Sequence, residues 1–152
     1  MEISANTSAA WLQQPVVGFK WDVAADLSSR EVQERLSPGA IRSFLKIADA
    51  WKLKDADARN LLGGISNGSF YDLKAHPARR LDQDRLTRIS LIIGIFKALN
   101  ILYSRKLADS WISLANSNPM FGGDTPLNYV VRGGVPALVK VRQLLDARRG
   151  GR

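Results

Sequence analysis

The sequence predicts an all-α protein, and three observations carry that expectation. From Ile41 to Leu145 apolar residues recur at spacings of three and four, which stacks them on one side of a helix. Punctuation separates these runs, with Ser, Thr or Asp before them as N-caps and Gly-Gly or X-Pro after them. No stretch alternates apolar and polar residues between hairpin turns, so no strand is predicted.

Taken in order, Met1 to Gln14 is small and polar apart from Trp11 and Leu12, and its first part is expected to be disordered. Val16 to Asp26 holds Phe19 and Trp21, which should dock on a partner subunit or on the protein's own core. Ser28-Ser29 with Glu31 and Val32 starts a short helix that ends before Ser37-Pro38. Pro38 then opens a helix with Ile41, Phe44, Leu45, Ala48 and Trp51 on one face. Asp55 caps a short helix with Ala58, Leu61 and Leu62 inward, and Gly63-Gly64 breaks it. Ser66 is the N-cap of the next helix, which reaches Lys74. After His76-Pro77, Asp82 starts a long helix through Leu86, Ile89, Ile92, Ile93, Phe96, Leu99 and Leu102. Leu107 to Leu114 forms another, carrying Trp111 and Ile112. Asn118-Pro119 and Gly122-Gly123 mark a turn. Thr125 is an N-cap with Pro126 at the first helical position, where a missing N–H costs nothing. Gly133-Gly134 ends that helix, Gly133 taking the left-handed conformation. A last helix opens at Pro136, with Val135, Leu138, Val139, Val141, Leu144 and Leu145 as its apolar stripe. The chain leaves it at Gly150-Gly151.

A chain of 152 residues suits one compact domain or two small ones sharing a core. Its apolar fraction of 45% is that of a globular protein, and 24% charged residues are too few for a disordered tail protein. The absence of Cys removes disulfides, thiolate metal sites and Cys nucleophiles, and fits a reducing, cytoplasmic setting. No basic start followed by an apolar run marks a signal peptide. Ile89 to Tyr103 is interrupted by Ser90, Gly94, Lys97 and Asn100 and falls short of the roughly 20 residues a spanning helix needs. It reads as a buried helix, and no membrane partner is expected. The net charge of +8 is uneven: residues 1–36 carry −2, residues 37–106 carry +7 and residues 107–152 carry +3. The middle of the chain is where a footprint on a polyanion is expected.

That middle contains A-R-N-L-L-G-G-I-S-N-G-S-F-Y-D-L-K from Ala58, which resembles a helix-turn-helix, the motif whose second helix enters the major groove of DNA. Ser66, Asn67 and Ser69 let the backbone approach phosphate and offer donors to base edges. Tyr71 and Lys74 lie along the exposed side, Phe70 and Leu73 pack inward, and Arg79 and Arg80 hold the phosphate backbone. Arg42, Lys52, Lys54 and Arg59 could flank the site. The reading helix is poor in the usual bidentate base readers, and Asp72 would repel phosphate if it faced DNA. The helix from Asp82 is apolar around much of its circumference, and Leu91, Ile95 and Leu99 suggest a homodimer face, which would supply two half-site readers on operator double-stranded DNA.

No catalytic arrangement emerges. His76 has no nucleophile near it, Asp82 and Asp84 suit a helix N-terminus, and the glycine pairs lack the spacing of phosphate loops. The chain reads as a non-enzyme with no cofactor and no metal.

The C-terminal run N-P-M-F-G-G-x-T-P-L from Asn118, a Gly-Gly, a Leu-rich helix and a short tail resemble the toxin-binding domain of the Xre/MbcA/ParS antitoxins, over roughly residues 105 to 152. The resemblance implies an antitoxin with three parts: an arm over residues 1–36, a helix-turn-helix DNA-binding and dimerisation region over 37–104, and a toxin-binding domain over 105–152. It implies a partner toxin of the RES type that consumes NAD, and neutralisation by occupation of that toxin's active site, alongside autoregulation of the operon. Met120 and Phe121 would anchor the contact, with Arg142, Arg148, Arg149, Gly150, Gly151 and Arg152 completing it. The tail would enter the pocket where a pyrophosphate binds, its glycines avoiding clashes. The alternative reading is a stand-alone helix-turn-helix transcription regulator whose C-terminal domain only dimerises.

Overall fold

A computed structural model describes residues 25–150 of the chain. The expected docking of Phe19 and Trp21, and the tip residues Gly151 and Arg152, lie outside the described residues. Among the described residues six helices follow one another: α1 Arg30–Ala50, α2 Asp55–Leu61, α3 Asn67–Ala75, α4 Gln83–Leu102, α5 Arg105–Ser110 and α6 Pro126–Arg149. Short 3-10 turns, Trp111–Ser113 and Pro119–Phe121, lie between α5 and α6. Among the described residues there is no strand, and no helix is long and apolar enough to cross a membrane.

The starts of these helices follow the N-caps read from the sequence. Ser29 accepts from the Val32 N–H, Ser66 from Ser69, Asp82 from Arg85 and Thr125 from Asn128. Ser104 caps α5, which therefore starts at Arg105, two residues before the expected start at Leu107. Asp55 is the first residue of α2 rather than its cap, a place where its carboxylate faces the positive end of the helix.

Two boundaries moved. Pro38 does not divide α1, which runs unbroken from Arg30 to Ala50, so residues 30–36 are its first turns instead of part of an arm. Proline removes one backbone donor, which alone favours a break. Burial on both sides of it decides otherwise: Leu36, Ala40, Ile41, Phe44 and Ile47 all face the core. Ser37, also buried, donates its hydroxyl to the Gln33 carbonyl at 2.6 Å and accepts from the Leu81 N–H at 2.8 Å. At the other end, α6 is two helices joined by a kink, and the residue with positive φ is Gly134 (φ 66°, ψ −148°) rather than Gly133. That backbone region is open essentially to glycine alone.

α4 is the centre of the molecule, with α6 and α1 as its principal neighbours. Leu86, Ile92, Ile95, Phe96, Ala98 and Leu99 are fully buried within a single chain. The dimer face expected at Leu91, Ile95 and Leu99 is therefore corrected: Ile95 and Leu99 are core, and only Leu91 is partly exposed. Trp51 tilts against Phe96 with ring centroids 6.1 Å apart. A second aromatic group stacks Phe121 edge-on against Trp111 and Tyr129, at 6.1 Å and 5.2 Å.

Candidate functional site

Helices α2 and α3 are joined by a tight turn built on Gly63 (φ 95°) and Gly64 (φ 82°). The N–H groups of Gly64 and Ile65 both return to the Arg59 carbonyl, at 2.9 and 3.3 Å, and the Arg59 guanidinium reaches the Ile65 carbonyl at 3.5 Å. Arg59 thus serves the turn. Ile65, Phe70 and Leu73 are buried and fix α3 to the core, as the pattern required.

What remains exposed on α3 is one short polar face. Asn67, Tyr71 and Lys74 recur at intervals of four and three, hence on one side, and Tyr71 is 72% exposed. With Asp55, Gly68 and Phe70 they line a shallow hollow of about 400 Å³. The Lys74 ammonium lies over the Phe70 ring, its Nζ 4.7 Å from the centroid, and 3.8 Å from the Asp55 carboxylate. Ser66 and Ser69 are exposed but share a hydrogen bond at 3.0 Å between their hydroxyls, so much of their bonding capacity holds the helix start.

The two arginines beyond α3, Arg79 and Arg80, are both exposed and differ in what they hold within the chain. Arg79 is exposed and ion-paired with Asp72, whose other oxygen lies 3.2 Å from His76 Nδ1. Asp72 is thereby paired with the Arg79 guanidinium and does not stand as a bare charge against DNA. Arg80 donates to Gln33 Oε1 of α1, which ties the loop after α3 to the first helix. His76 is exposed. Among the described residues no group of His, Asp or Glu gathers to hold a metal ion.

The C-terminal site begins at Asn118, whose side chain accepts from the Met120 N–H at 3.0 Å. Met120 is half-buried, but Phe121 is 3% exposed and belongs to the aromatic cluster, so its ring packs inside and is not an accessible anchor. Asp124, unremarked in the sequence, organises the start of α6. It accepts from the Thr125 N–H at 2.7 Å, Asn128 Nδ2 at 2.8 Å and Arg132 at 3.0 Å. Its hydrogen bonds from Asn128 and Arg132, then Thr125, with the Arg132 charge, hold its carboxyl at about 2.

On α6 the Arg142 guanidinium lies over Gly94 of α4 and pairs with Asp146 at 3.2 Å. Arg149 reaches the same carboxylate at 3.7 Å, while Arg148 donates to the Tyr103 hydroxyl at 3.1 Å. Gly150 closes the helix through bonds to the Asp146 and Ala147 carbonyls. The predicted tail cations thus start from a firm helix end.

The antitoxin Xre-like helix-turn-helix domain matches residues 30–94, and the antitoxin Xre/MbcA/ParS C-terminal toxin-binding domain matches residues 98–151. The chain belongs to the Xre-type antitoxin family. The antitoxin's first match opens at Arg30, the first residue of α1, and its second covers the whole of α5 and α6. It is similar to uncharacterized protein y4oB of Sinorhizobium fredii, with 37% identity over 115 residues, covering 75% of this chain and 87% of that protein. No solved structure matches.

Proposed function

We propose that the chain neutralises a RES-type, NAD-consuming toxin by placing its C-terminal region in the toxin's active site, and represses its own operon as a homodimer on operator DNA in the cytoplasm. It acts by binding and not as an enzyme. The observation that carries the reading is the pairing of a helix-turn-helix with a toxin-binding domain in one chain. The RES identity of the toxin rests on the resemblance of the Asn118–Leu127 motif. The exposed Asn67, Tyr71 and Lys74 face supports groove contact, with Ser66 and Ser69 at its start and Arg79 beside it. Arg80 contributes by fixing the loop to α1. In the C-terminal part Met120, Arg142, Arg148, Arg149, Gly150, Gly151 and Arg152 contact the toxin, with Phe121 supporting Met120 from beneath.

Co-expression with the cognate toxin tests neutralisation, and operator binding at graded salt tests the DNA half. Truncation after Ala147 should abolish protection while the complex still forms, and full protection by the truncated protein would refute insertion of the tail. Replacing Lys74, Arg79 and Arg80 by Ala should flatten the salt dependence of operator binding by about 2 in log–log slope, as the two lost phosphate contacts, Lys74 and Arg79, remove about 0.9 each. Unchanged operator affinity would remove these residues from the reader.

A further inference from the structure

Lys97 lies between the two matched domains, in the short interval after residue 94 and before residue 98. It is half-buried on α4, one turn beyond Gly94, and makes no ion pair among the described residues. Its charged neighbours are Arg142, which lies over Gly94, and Arg149. Both arginines share one carboxylate, Asp146. Lys97 therefore stands beside two arginines at the α4–α6 junction, and the carboxylate those arginines share is not shared with it. Like charges this close repel, and burial removes the water that would screen them. Desolvation, then Arg142, then Arg149 pull the Lys97 ammonium below its usual range. An isolated monomer gains nothing from such a grouping, but an incoming anion would offset it. Ile101, one turn farther along the same face, is 45% exposed and adds an apolar shoulder.

We infer that Lys97, Arg142 and Arg149 form a receptor for a carboxylate side chain of the toxin, flanked by an apolar residue that rests on Ile101. The inference rests on the toxin-binding reading and adds to it a contact from α4, outside the matched toxin-binding domain. Protein is favoured over DNA as the source of the anion on two grounds. Arg142 and Arg149 lie within the toxin-binding match. Lys97 is also nine residues along α4 from Arg88, which borders the helix-turn-helix turn, a rise of about 14 Å.

Lys97→Met keeps the aliphatic stem and removes the charge. It should weaken the complex with the cognate toxin at least tenfold and leave the melting temperature of the free protein equal or higher, since a repulsion is relieved. Lys97→Arg should stay within about threefold of the parent, and Lys97→Glu should bind worse than Lys97→Met. A residue that merely supports the fold would lower the melting temperature instead. Toxin affinity within twofold of the parent for both Lys97→Met and Lys97→Glu overturns the receptor while leaving toxin binding standing. Failure of the unaltered chain to bind the toxin overturns both. Loss of operator affinity in Lys97→Met with toxin affinity intact would reassign the cluster to phosphate and refute the inference.

Discussion

Asp124 occupies the position between Gly123 and Thr125 where the C-terminal motif specifies no residue type, yet it holds three donors at once. A carboxyl at about 2 in the folded chain, against an ordinary 3.8, binds protons less readily than in the unfolded one. Its stabilising contribution is thus complete above about pH 4 and disappears as pH falls through about 2. Asp124→Asn should melt lower than the parent at neutral pH, and thermal melts should show that difference closing between pH 4 and pH 2. A gap of equal size at pH 2 and pH 7 would mean that charge is irrelevant there. Ser37 is the opposite case at the same scale. Its hydroxyl bonds Gln33 within α1 and also Leu81, 44 residues beyond Ser37, which no local pattern announces.

At the scale of elements, α4 is apolar nearly all round because α1 and α6 cover it, and the same composition would equally suit a subunit interface. Burial separates the two cases. Ile95→Glu should place an ion in a full core at a cost of several kcal/mol, and abolish cooperative unfolding whether or not the protein dimerises. A folded Ile95→Glu variant with the parent's denaturation midpoint would contradict the packing described for α4. Helix α6 shows sequence and packing acting together. Gly133-Gly134 announced a break, and the position of positive φ fell on Gly134. A Cβ on Gly133 would meet that of Ala137, so both glycines are constrained, one by dihedral and one by space.

Across the whole molecule, Arg88 links the two functional regions. It pairs with Asp84 at 2.9 Å, with its side chain only 17% exposed. A Cβ on Gly63 in the helix-turn-helix turn would lie 3.3 Å from its Nε, and one on Gly134 at the kink 3.9 Å from its terminal nitrogen. Arg88→Ala should cost about 1.5–3 kcal/mol through the lost charged hydrogen bond. It should also weaken operator and toxin binding together, in contrast to Lys74→Ala, which touches operator binding alone. Gel-shift and toxin-affinity measurements on the two variants check this, and an Arg88→Ala protein impaired in neither would remove the link.

Much of the fold was legible because its determinants are local. Ser29, Ser66, Asp82 and Thr125 each cap a helix through a bond to an N–H three residues away, and that distance is fixed in sequence. The spacing of Phe70 and Leu73 likewise told which face of α3 is buried and hence that Tyr71 and Lys74 are exposed. Other features depended on partners that sequence separates widely. Pro38 sits inside a continuous helix because core contacts outweigh one missing bond. Phe121 is interior because Trp111 and Tyr129 close on it. Arg80 is held by Gln33, and Lys97 acquires its charged neighbours only when α6 folds back along α4. The sequence by itself determined the helices, their caps and the family motifs, since short-range bonding and periodicity are written in neighbouring residues. Which side chains are free to meet DNA or a toxin was decided by the tertiary structure, because burial and charge proximity belong to residues brought together from distant parts of the chain.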